Sequence, residues 1–256
     1  MKRVRIIPVL LLQKGGLVKS VQFKNHKYVG DPINAVKIFN EKEVDEIVIL
    51  DISATAGKRP PDIQRIQEIA SEAFMPVAYG GGITTIEEIE ELISRGVEKV
   101  VLNFSAYNKV TLITHAALRI GSQSVVGSID VRKNWLGKYR VYLQNGTRRT
   151  DLDPVTFAKQ LQHAGAGEIL LNSIENDGTF NGYDLDLVRE VSSKIHIPVV
   201  AVGGAGSVED FSKAIENGAS AVAAGSLFVF QRPHRAVLIS YPTQKELREK
   251  VYSHLK

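Results

Sequence analysis

Glu46-Ile-Val-Ile-Leu-Asp51 returns later in the chain as Glu168-Ile-Leu-Leu-Asn-Ser173, at an offset of 122 (168 less 46). The same register carries Pro76-Val-Ala-Tyr-Gly-Gly-Gly82 onto Pro198-Val-Val-Ala-Val-Gly-Gly204, and Val100-Val-Leu-Asn103 onto Val222-Ala-Ala-Gly225. Chance similarity rarely holds one register over three segments, so the chain states one architecture twice. Near the start the offset slips to 119 (130 less 11), pairing Ile6-Ile-Pro-Val-Leu-Leu11 with Val125-Val-Gly-Ser-Ile-Asp130. The two halves run over about 1–122 and 123–256. Their symmetry breaks at one position: the second half ends its first strand on Asp130, the first half on Leu11.

Around these segments, short β-branched runs alternate with amphipathic stretches of helical period, the pattern of βαβ units and a parallel sheet. Eight strands are predicted, over about 4–11, 46–51, 76–79, 98–102, 124–130, 168–172, 198–202 and 220–224. Ile86, Ile89, Leu92 and Ile93 share one face of a helix over 84–95. Phe157, Leu161 and Ala164 share another, behind Asp153-Pro154, which reads as an N-cap with proline at the first helical position. Eight such units close most naturally into a single (β/α)8 (TIM) barrel domain, and 256 residues is the size such a barrel takes. Residues 12–30 read as a long loop rich in Lys and Gly. Trp135–Thr150 reads as a β-hairpin turning at Asn145-Gly146. Both follow strands, which places them on the catalytic face of a barrel.

With 44% hydrophobic residues the chain can fill a core, but no apolar run reaches the length of a membrane span. The Met1-Lys-Arg start lacks the features of a secretory signal, so a soluble cytoplasmic protein is expected. The absence of cysteine excludes disulfides, a thiolate nucleophile and thiolate metal sites. The six His form no ligand-like cluster, and neither a metal nor a cofactor is expected. The net charge of +4 is spread over helices and loops and not gathered into a stripe. That argues against nucleic acid and is compatible with a substrate carrying phosphates.

Gly80-Gly81-Gly82 with Thr84, and Gly203-Gly204-Ala-Gly206 with Ser207, place backbone N–H groups at predicted helix starts, where amides and dipole favour an anion. Asn103-Phe104-Ser105 and Gly225-Ser226 would complete each site. Either glycine cluster alone reads equally well as a tight turn; their duplication favours phosphate. Two such pockets across the mouth imply a small substrate with a phosphate at each end.

Arg5-Ile-Ile-Pro, Gly30-Asp-Pro, Leu50-Asp-Ile, Gly80-Gly-Gly-Ile, Gly121-Ser-Gln, Asn176-Asp-Gly-Thr, Gly182-Tyr-Asp and Gly203-Gly-Ala-Gly together resemble the HisF family, the cyclase subunit of imidazole glycerol phosphate synthase. The likeness covers essentially the whole chain. It implies a barrel that receives ammonia from a HisH-type glutaminase docked at its N-terminal face. It also implies an entrance ring at Arg5, Glu46, Lys99 and Glu168, a substrate contact at Lys19, and active-site positions at Asp177 and Gly178. The family's acid–base pair would fall on Asp130 and on position 11, where Leu11 cannot transfer a proton. Val9-Leu-Leu-Leu-Gln-Lys-Gly15 and Asn103-Phe104 depart from the family pattern at neighbouring places. In this the chain resembles HisF-like paralogues of surface-polysaccharide pathways, which work with a HisH-like glutaminase and a sugar amidotransferase. The expected function is therefore ammonia delivery for amidation of a nucleotide sugar. The alternatives are an ordinary histidine-pathway cyclase and a non-catalytic scaffold that activates the glutaminase; a HisA-type isomerase fits least.

Overall fold

The computed structural model describes residues 4–231 and 233–254. Eight barrel strands run in chain order: β1 (Arg5–Gln13), β2 (Ile47–Asp51), β3 (Val77–Gly80), β4 (Lys99–Leu102), β5 (Val125–Lys133), β6 (Glu168–Ser173), β7 (Val199–Val202) and β8 (Ala221–Ala224). Each pairs in parallel with the next, and β8 returns to β1, so the sheet closes as a (β/α)8 barrel. The expected strand bounds lie within three residues of these, the widest difference being at β5.

The helices begin where the sequence offers an oxygen to an orphan amide. Asp31, Asp62, Asp153 and Asp184 each accept a backbone N–H at their helix start, and Thr85 and Thr243 form capping boxes with Glu88 and Glu246. Pro32 and Pro154 stand at the first turn, where a missing N–H costs nothing. Among the described residues no helix is long and apolar enough to cross a membrane.

Alternation along the strands produces two apolar layers. Outward residues such as Ile6, Leu10, Ile49 and Tyr79 pack with Phe39, Leu92, Phe157 and Leu187 of the surrounding helices. Inward residues Ile7, Val9, Val48, Ala78, Val101, Val126, Leu170, Val200, Ala221 and Ala223 fill the barrel axis, with Leu11 and Leu50 packed against them. Each large apolar side chain fully removed from water contributes about 1.5–3 kcal/mol, which makes this double layer the main source of stability.

Strand register places the broken symmetry in space. Leu11 pairs with Leu50 across β1 and β2, and Asp130 pairs with Asn172 across β5 and β6. Leu50 and Asn172 are themselves 122 residues apart (172 less 50), so Leu11 and Asp130 occupy equivalent sites.

One segment differs from expectation, and a second carries a pairing beyond the one expected. Residues 12–30 are a β-hairpin, with strands Gly16–Val21 and Lys24–Gly30, the first pairing antiparallel with the end of β1. Its turn uses Gln22 and Phe23 at φ of 52° and 64°, a left-handed pair usually signalled by Asn-Gly and here carried by residues that give no such signal. Between Trp135 and Thr150, the strand Tyr139–Leu143 folds back on β5 through a turn at residues 134–138, where Asn134 accepts the Leu136 and Lys138 amides. The expected hairpin turn at Asn145-Gly146 is present and joins Tyr139–Leu143 to the antiparallel two-residue strand Arg148–Arg149.

Candidate functional site

A cavity of about 580 Å³ opens at the carboxyl ends of the barrel strands. It brings together Leu11, Lys19, Gly81, Gly82, Asn103, Asp130, Asp177, Gly225 and Ser226, residues dispersed through the sequence but converging because each lies at or just beyond a strand end. Gly178, Gly203 and Gly204 do not line it. Gly178 instead backs onto the hairpin, where an added Cβ would stand 2.2 Å from the Ser20 carbonyl, and Gly204 backs onto Gly182 at 2.1 Å. At φ of +69° and +108° these two positions favour glycine for close backbone approach, whatever else they do.

Asp130 sits on the polar side of the mouth. Asn103 Nδ2 donates to its Oδ2 at 3.2 Å and to the Ser128 carbonyl at 3.0 Å, and Asn172 stands beside it in cross-strand register. Burial pushes this carboxyl up to about 7, the negative charge of Asp177 adds to the rise, and the two asparagines oppose it. Opposite, Leu11 and Leu50 offer only carbon. Sequence reasoning missed Asn172, although the 122-residue repeat already set it against Leu50. Asp51 also lines the cavity, but its Oδ1 is occupied by the Ser53 and Ala54 amides at 2.8 and 3.0 Å.

Lys19 enters from the hairpin. It is buried, and its ammonium donates to the Val9 carbonyl close against Gly225, whose missing side chain makes room for it. Burial lowers this amine to about 8, while the charge of Asp177 opposes the fall. Asp177 is likewise raised by burial; Lys19 and a 3.2 Å hydrogen bond donated by Ser20 Oγ pull the other way.

The expected phosphate pockets are narrower than the glycine pattern suggested. Glu88 already accepts the Thr84 and Thr85 amides, at 2.7 and 3.0 Å. Asp210 accepts those of Gly206 and Ser207, at 2.9 and 3.1 Å. Of the residues expected to hold phosphate, Gly81, Gly82, Asn103, Gly225 and Ser226 line the cavity.

At the opposite end of the axis, Arg5, Glu46, Lys99 and Glu168 form a closed ring of alternating charge. Arg5 bonds Glu46 at 2.5 Å and also bonds Glu168, and Lys99 bonds Glu46 at 2.8 Å and Glu168 at 3.1 Å. Burial works against the Arg5 charge, yet the hydrogen bonds and charges of Glu168 and Glu46 hold its pKa above the ordinary value. Two acids and two bases neutralise one another, which offsets the cost of burying Glu46 and Glu168.

Residues 5–233 match the family model described as histidine biosynthesis protein. The chain is 54% identical, over 96% of its length and 99% of the relative's, to a Pseudomonas aeruginosa protein provisionally named imidazole glycerol phosphate synthase subunit hisF2. It is 48% identical, over 97% and 96%, to a Vibrio vulnificus protein provisionally named subunit hisF3. To the imidazole glycerol phosphate synthase subunit HisF of Alkaliphilus metalliredigens it is 43% identical, over 88% and 89%.

Proposed function

The chain belongs to the histidine biosynthesis protein family as a HisF-type subunit, and from that premise we propose that it conducts ammonia from a HisH-type glutaminase to a sugar acceptor. The glutaminase docks at the amino-terminal face over Arg5, Glu46, Lys99 and Glu168. Ammonia passes that ring, follows the barrel axis and emerges at Asp130. There it serves a sugar amidotransferase that modifies a nucleotide sugar for surface polysaccharide. The apolar lining suits the neutral molecule, because an ammonium ion would pay a large desolvation cost among valines and alanines.

The observation that carries this reading is the pairing of Leu11 with Leu50 against Asp130 with Asn172. The ring and the axis are whole, while one of the two proton-transfer positions is apolar. The relatives named hisF2 and hisF3 are more similar to the chain than the Alkaliphilus subunit.

Lys99→Ala tests the route. It leaves two buried glutamates facing one arginine and so disturbs the entrance. In the glutaminase complex supplied with a nucleotide sugar and its amidotransferase, the share of amide-labelled glutamine nitrogen reaching the sugar is expected to fall about fivefold or more. Use of free ammonium salt should be unchanged. Equal transfer from glutamine by variant and parent would sink the proposal.

A further inference from the structure

We infer that Arg132 and Arg140 form a binding site for the diphosphate group of a nucleoside diphosphate at the rim of the barrel mouth. This rests on the nucleotide-sugar reading and gives that acceptor a place on this chain. Elsewhere cations and acids are interspersed, but from Arg132 to Arg149 the sequence holds six cations (Arg132, Lys133, Lys138, Arg140, Arg148 and Arg149) and no acid. The whole chain carries +4, so everything outside this ribbon sums to −2 (4 less 6). An element that carries more than the net charge of its molecule is polarised toward an anion.

The fold turns that charge into a face. Val131, Val141 and Leu143 are buried on one side of the ribbon, so by strand alternation Arg132, Arg140 and Tyr142 share the other side with Asp130. Register sets Arg132 directly opposite Arg140. Such neighbours have Cβ atoms within about 5.5 Å, where like charges repel. Both are half-buried, and of the six cations only Arg149 has an acidic partner among the described residues, Asp151 at 3.7 Å. Arg140 donates once, to the Tyr139 carbonyl at 2.8 Å. Arg132 is held by carbon alone: its guanidinium lies 5.1 Å from the centre of the Tyr142 ring, and it makes no hydrogen bond to a described residue. Its Nη2 faces Gly146, where a Cβ would stand 3.5 Å away and 3.2 Å from Phe23. Phe23, Gln144 and Asn145 line the mouth cavity, so the guanidinium is fixed just behind its rim. Two planar forks side by side match the oxygens of a diphosphate, and a bound dianion relieves their repulsion. Arg132 lies two residues beyond Asp130, about 7 Å along the strand, so a sugar joined to that diphosphate comes over the mouth.

The full-length chain titrated with uridine diphosphate, followed by NMR of the arginine Nε–Hε signals, tests this. Saturable shifts of the Arg132 and Arg140 signals are expected, with inorganic phosphate bound about tenfold more weakly or worse. Arg132→Gln and Arg140→Gln should each weaken binding of uridine diphosphate about tenfold, and Arg132→Lys, which keeps the charge and loses the fork, about threefold. Arg140→Gln should unfold in urea no more readily than the parent, because it relieves a like-charge contact. The inference is overturned if neither signal moves, if the glutamine variants bind as the parent does, or if inorganic phosphate binds as tightly as the nucleotide. A less stable Arg140→Gln would mark the pair as structural and overturn it too. Shifts with polyglutamate and none with uridine diphosphate would overturn it in favour of an acidic protein surface. Should a variant not fold, the parent titrations still decide. Glutamine nitrogen reaching the sugar without this binding would remove the inference alone, whereas binding without transfer would remove the conducting function and leave the site.

Discussion

Offered the phosphoribulosyl formimino substrate together with a glutaminase, the chain is expected to form imidazole glycerol phosphate about 10³-fold more slowly than a HisF carrying aspartates at both positions, the usual worth of one well-placed proton-transfer group. Leu11 occupies the strand position equivalent to Asp130 and faces the same cavity, so the missing group is missing from the reacting zone itself. Lys19, whose amine burial lowers to about 8, comes from the hairpin and not from the position of Leu11, and it already donates to the Val9 carbonyl. The Alkaliphilus relative bears the cyclase subunit's name, which keeps cyclisation as the second reading. Product formation in the coupled assay separates the two, as does rescue of a cyclase-deficient histidine auxotroph. Turnover close to that of an authentic cyclase would establish the second.

Much of this site was legible in the amino-acid sequence for a simple reason: barrel strands carry their inward residues at fixed positions. Once the repeat gave the register, Glu46 and Glu168 fell at strand starts, and Leu11 and Asp130 at strand ends. What stayed hidden depended on chemistry between elements. The hairpin at 16–30 turns on Gln22-Phe23, which carries none of the usual residues for left-handed backbone. Glu88 and Asp210 claim amides that the glycine pattern assigned to phosphate, although Thr85-Ile-Glu-Glu88 spells a capping box in plain sight. Asn172 stood in the repeat, but its place beside Asp130 depends on cross-strand register.

Replacing Asp130 with Asn is expected to stabilise the fold by about 2 kcal/mol in mildly alkaline solution and to change it little in acid. The unfolded chain releases this proton near 3.8 and the folded chain near 7. Between those values the folded state binds more protons, so stability falls as pH rises. The cost is complete above about 7 and absent below 3.8. A shift of that size corresponds to at most about 4 kcal/mol; the partial exposure of Asp130 toward the cavity, and the hydrogen bonds an amide would receive less well, reduce it. Urea unfolding of parent and variant at about pH 4 and pH 8 measures the difference. A variant less stable at the higher pH would mean that Lys19 and the asparagines hold the carboxylate as a net asset, with its pKa depressed. The expected result also bears on function. A barrel serving only as a scaffold for the glutaminase would gain stability by losing such an acid, so the result separates that reading from one in which Asp130 has work to do at the mouth.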